Sequence, residues 1–129
     1  MDYTGTIIEE SLTDPYVLRG VKIVDTIVEL VTPEHKMKWA KVLTIRIVEI
    51  PPYRVEAFAE KISESMNPKY PWQADFRNNL VHFIIFPRKV FRVNRFSRIQ
   101  YDEAKKYGRK IGVPEIGLDY PSDLKEWES

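Results

Sequence analysis

The chain contains no cysteine in its 129 residues. That excludes disulfides, a thiolate nucleophile and every zinc site built on sulfur. Histidine is nearly as scarce: only His35 and His82 occur. They lie too far apart for HExxH or any other histidine-rich metal motif. No run of about eighteen apolar residues is present, so no membrane-spanning helix is expected. The opening MDYTGTIIEESL has early acids and no basic stretch, so it does not read as a secretory signal. Glycine-rich phosphate loops and a GxSxG elbow are missing too. Neither sign of charge dominates, the formal net charge being +1. The expectation is therefore a cytoplasmic chain without metal, cofactor or membrane partner.

The length suits one domain over residues 1–129 with a core of its own, the last eight or so residues fraying. Residues 4–9, 21–31 and 41–50 are rich in Val, Ile and Leu and read as strands. Asp14-Pro15 looks like an N-cap with proline at the first helical position, and Gly20 like a stop. Between the two long strands lies TPEHKMKWA, where Trp39 is expected to fold onto the core and His35 to sit in a loop. Val55, Phe58, Ala59, Ile62 and Met66 follow helical spacing, which Asn67-Pro68 ends. Glu56, Glu60 and Glu64 form a charged row on another side of that helix, best read as a solvated face. Ser97 with Gln100 makes a capping box for a second helix, with Ala104, Tyr107 and Ile111 inward and Gly112 and Pro114 at its end. Beyond it an extended segment is expected, with Ile116, Leu118 and Tyr120 docking. The sum is an α+β fold: a two-layer sandwich whose mostly antiparallel sheet, of about five to six strands, is packed by two main helices.

Residues 72–98, WQADFRNNLVHFIIFPRKVFRVNRFSR, carry the most information. They read as three strands joined by two tight turns, placed at Asn78-Asn79 and Arg88-Lys89. In that register Trp72, Ala74, Phe76, Val81, Phe83 and Ile85 share a core face. On the other side Asp75 lies across from His82, and His82 across from Arg95. Cross-strand neighbours sit about 4.5–5.5 Å apart at Cβ, within hydrogen-bonding reach. A carboxylate beside an imidazole fixes its tautomer, and an arginine adds a forked donor for phosphate or carboxylate. The row therefore has a catalytic reading: a small metal-independent enzyme acting on phosphoesters, with His82 as acid or base, Asp75 orienting it and Arg95 stabilising charge. That reading requires His82 to open onto a pocket. The plainer reading is a satisfied polar cluster that fixes strand register.

Arg88, Lys89, Arg92, Arg95 and Arg98 interleave with Phe91 and Phe96, with no acid among them. The basic middle of the chain is followed by an acidic end with Glu115, Asp119, Asp123, Glu126 and Glu128. Such a segment suits an anionic partner, a nucleic acid or a phosphorylated ligand, held by Arg88, Lys89, Arg92 and Arg98. The leading expectation is a non-catalytic binding domain of this kind. The other classes are the small enzyme above and a structural or interaction protein that pairs as a homodimer through an uncovered sheet edge or face.

Several segments together carry a resemblance: GTIIEESL (5–12), TPEHK (32–36), ADF (74–76), HFIIF (82–86), KVFRV (89–93) and IGVP (111–114). Through them the chain resembles a family of small uncharacterised prokaryotic proteins. Gln73 and Asn94 depart from that pattern, which has Tyr and Asp there. The resemblance implies one compact domain and no particular activity, substrate or cofactor.

Overall fold

A computed structural model of the chain describes residues 1–120. The expected fraying and the acids Asp123, Glu126 and Glu128 lie outside the described residues. The fold is α+β. Six strands form one antiparallel sheet in the order β2-β3-β1-β4-β5-β6: β1 (Tyr3–Ile8), β2 (Lys22–Leu30), β3 (Val42–Ile50), β4 (Ala74–Arg77), β5 (Val81–Phe86) and β6 (Lys89–Asn94). Helix α1 (Pro52–Ser65) joins β3 to β4, and α2 (Arg98–Ile111) follows β6. Both β3 and β4 run antiparallel to β1. They are thus parallel to each other, and α1 supplies the long crossover that parallel strands need.

The strand alternation sorts the core into two layers, one on each side of the sheet. On one face Tyr3, Ile7, Val48, Ile50, Phe76, Phe83 and Ile85 are buried with Val55, Phe58, Ala59 and Ile62 of α1. Phe58 stacks on Phe76 at 5.7 Å. On the other face Ile84, Phe86 and Val93 pack with Tyr101 and Ala104 of α2 and with Val113 and Leu118 beyond it. Buried Ser63 ties the layers together, donating to the Phe86 carbonyl at 2.6 Å. Gly5 lets β4 approach β1: a Cβ there would sit 2.0 Å from the Asp75 carbonyl oxygen.

Local signals account for the element ends. Asp14 accepts the Tyr16 N–H and starts a 3-10 turn over Pro15–Gly20. Ser97 accepts the Gln100 N–H, while the Gln100 side chain reaches back to the Asn94 N–H rather than to Ser97. Gly112 closes α2 at φ 100°, in the left-handed region where glycine is favoured. Trp39 is half-buried, stacked on Tyr70 and edge-on to Trp72, both at 6.3 Å.

Three details correct the sequence reading. Residues 115–118 form a 3-10 turn (Glu115–Leu118) rather than an extended segment, and Ile116 stays largely exposed while Leu118 is buried. The β4–β5 turn is centred on Asn79-Leu80, because the Asn78 side chain accepts the N–H groups of Leu80 and Val81. The β5–β6 turn is centred on Pro87-Arg88, with Arg88 at φ 62°. Proline has no N–H for the ladder and suits the first corner of a turn. Each displaced turn moves the strand partners by two residues, so every side chain keeps its face.

Candidate functional site

In the observed register His82 lies opposite Arg77 on β4 and Val93 on β6, not opposite Asp75 and Arg95. Asp75 is diagonal to His82 on the same face and still bonds it. Thr6 on β1 lies directly across from Asp75. The polar row therefore runs from β1 to β5 and is completed from above by α2.

The bonding pattern fixes the proton positions. Asp75 Oδ2 is 2.7 Å from His82 Nε2. An ionised carboxylate only accepts, so Nε2 carries the proton and donates. His82 Nδ1 then accepts from the Tyr101 hydroxyl at 3.0 Å. The result is a directed chain from Tyr101 through His82 to Asp75. The carboxylate also accepts from Thr6 Oγ1 at 3.0 Å and from Arg77 Nη1 at 3.2 Å. Burial pushes the Asp75 carboxyl up. The His82 hydrogen bond, the Arg77 guanidinium and the Thr6 hydroxyl together outweigh this and hold it below the ordinary carboxylate range. Tyr120 sits edge-on to His82 at 5.9 Å. Burial, and then the Asp75 charge, push its phenol well above the usual value.

His82 is 1% exposed with both ring nitrogens engaged. That burial leaves His82 little direct contact with solvent, and among the described residues its ring is held by Asp75 and Tyr101. Arg95 is also buried, pairs its backbone with Leu80 and donates from Nη1 to the Asn78 carbonyl at 2.6 Å. It holds the β4–β5 turn. Asp75 is the member of the expected row that meets solvent, its side chain 20% exposed.

Asp75 opens onto a cleft of about 360 Å³ lined by Thr6, Gln73, Arg77, Asp119 and Tyr120, with His82 at its floor. A second, apolar cavity of about 260 Å³ adjoins it, lined by Met37, Trp39, Trp72, Pro114 and Ile116. Ile8, Gln73 and Gly117 border both. Gln73 is the partition: its amide donates to the Gly117 carbonyl and its oxygen accepts from the Tyr120 hydroxyl. It thereby pins the 3-10 turn to the start of β4. The buried Trp39 indole N–H has no acceptor among the described residues.

The basic residues expected to hold an anion are spread out. Arg88 and Lys89 occupy the β5–β6 tip, where Glu60 and Glu64 of α1 face them across a shallow depression. Arg92 lies over the Phe83 ring on the α1 side. Arg98 begins α2, beyond the far end of β6, so roughly 17 Å of strand separates it from the tip. Lys89 and Arg92 lie on β6, an edge strand, and charged side chains there discourage pairing with another sheet. No group of three or more metal-ligating side chains occurs among the described residues.

Sequence reasoning missed Thr6, Gln73, Arg77, Tyr101 and Tyr120. Arg77 was within reach, since it shares a face with Asp75 two residues away. Thr6 and Tyr101 arrive through the β1–β4 pairing and the α2 docking, which no hairpin announces. Comparison with protein-family models, curated proteins and solved structures finds no match to this chain.

Proposed function

We propose that the chain is a small binding module for an anionic small molecule with an apolar or aromatic part. The anion lies against Arg77 and Thr6, and the apolar part occupies the slot between Met37, Trp39, Trp72 and Ile116. One observation carries this reading: a polar cleft holding a guanidinium adjoins an apolar cavity, with the Gln73 side chain between them. A few placed polar groups beside an apolar wall are the usual make-up of a small-molecule site. A guanidinium presents five N–H donors in a planar fork that matches a carboxylate or phosphate. Asp75, clamped by His82 and Thr6, holds that fork in place.

Calorimetric titration with paired probes tests this, for example indole-3-acetate against indole-3-acetamide. The carboxylate should bind and the amide bind at least about tenfold more weakly. Arg77→Met should remove that difference. Equal binding of both probes, or of neither, would sink the proposal.

A second reading places a polyanion along β6, favoured by Lys89 and Arg92 on that edge strand with Arg88 in the turn before it and Arg98 at the start of α2 after it. It requires RNA or heparin binding whose affinity falls steeply with salt and weakens when Arg88, Arg92 and Arg98 are neutralised. Salt-independent behaviour would count against it.

A further inference from the structure

The two edges of the sheet are unlike. β6 carries Lys89 and Arg92 and is overlain by α2. β2, KIVDTIVEL, is exposed along all nine residues, and Ile23, Val24, Ile27, Val28 and Leu30 are among them. Val28 and Leu30 are 66% and 74% exposed. A long, apolar, uncovered edge strand is a template for pairing with another strand.

Its free hydrogen-bonding groups can be assigned. Val31 N–H donates to the Lys41 carbonyl at 2.9 Å. In an antiparallel ladder the bonded residues alternate, so Asp25, Ile27 and Glu29 face β3 with their backbone groups. Thr26, Val28 and Leu30 present theirs to the open side. Thr26 N–H is meanwhile held by the neighbouring Asp25 carboxylate at 2.8 Å, a local bond that a partner carbonyl would replace.

We propose that β2 pairs with β2 of a second copy of this chain, antiparallel, about a two-fold axis at Thr26. Charge selects the partner and the register. An axis at Ile27 would set Asp25 opposite the partner's Glu29, which is repulsive. An axis at Val28 would set Glu29 opposite the partner's Ile27 and leave Lys22 outside the pairing. The axis at Thr26 sets Lys22 opposite the partner's Glu29 and Ile23 opposite the partner's Val28, each twice by symmetry. The β-bulge between Ile23 and Asp25 makes this alignment possible. One extra residue there brings Lys22 onto the face of Glu29, as their β3 partners Glu49 and Leu43 show, and Ile23 onto the face of Val28, opposite Val48 and Thr44. The two sheets then become one. This pairing is independent of the cleft.

Sedimentation velocity over a concentration series reaching several hundred micromolar tests it, with Lys22→Glu, Glu29→Lys and their mixture. The wild type should dimerise. Each single reversal places like charges opposite one another twice and should weaken the dimer about tenfold or more. An equimolar mixture of the two variants restores opposite charges at both contacts, so it should form a heterodimer close to wild-type affinity, as should the double variant with itself. Thermal unfolding of each variant checks that the monomer is intact, which exposed edge positions should preserve. A wild type that stays monomeric throughout, reversals that dimerise undiminished, or a mixture that fails to recover would each overturn the proposal.

Discussion

Replacing Asp75 with alanine removes three bonds whose consequences differ. Thr6 and Arg77 line the cleft and recover water as partner. His82 is 1% exposed beneath the carboxylate, and its Nε2–H loses its acceptor. A hydrogen bond to a charged group contributes about 1.5–3 kcal/mol, and a buried donor left unsatisfied costs about 1–3 kcal/mol. These overlap, so the net loss should be about 2–4 kcal/mol. At roughly 4 °C per kcal/mol for a chain of this size, the Tm should fall by about 8–16 °C. Asp75→Asn can turn its amide oxygen toward Nε2 and keep the bond without the charge, so it should lose only about 1 kcal/mol, near 4 °C. Calorimetric or circular-dichroism melts at neutral pH would measure both. The acid limb gives a second check. The folded carboxyl titrates below its ordinary value. Its contribution is therefore complete above the unfolded carboxyl range and is lost as pH falls through the lower folded value. The wild-type advantage over Asp75→Asn should be flat near neutrality and close in strong acid. A Tm for Asp75→Ala within about 2 °C of wild type, or a gap that widens in acid, would refute the reasoning.

Three further outcomes follow from the same geometry. Gly5→Ala should cost about 3 kcal/mol or more in urea unfolding, since its Cβ would press on the β4 backbone at Asp75 and on the Phe76 ring, at 2.0 and 2.5 Å. Tyr101→Phe should cost about 1–2 kcal/mol by leaving His82 Nδ1 without its donor, and should be non-additive with Asp75→Asn in a double-mutant cycle because both act on one imidazole. Glu115→Gln should leave the Tm unchanged, because its pair with Arg109 is exposed on both sides.

The elements were legible because their signals are local: alternating Val and Ile in the strands, the helical stripe from Val55 to Met66, the caps at Asp14, Ser97 and Gly112. The faces of residues 72–98 were legible for a different reason. Each turn sits one residue from the position that Asn78-Asn79 and Arg88-Lys89 suggest, which moves partners by two, and a shift of two preserves side-chain parity. So Asp75 and His82 were correctly put on one face while their partners were not. Pro87 marks the first corner of the second turn, and the Asn78 side chain fixes the first. The burial of His82 was not legible. It depends on α2 laying Tyr101 over the sheet and on Leu118 and Tyr120 closing beside it, contacts that no short-range pattern encodes. The cleft was hidden likewise, because β1 joins β4 from the far end of the sequence.

The most direct test of the cleft as the binding site is a map of amide and indole resonances during titration with an aromatic carboxylate. The shifts should concentrate at Thr6, Gln73, Arg77 and Gly117 and at the Trp39 and Trp72 indoles, and should vanish in Arg77→Met. Shifts confined instead to Arg88, Lys89, Arg92 and Arg98, or none at all, would contradict the account.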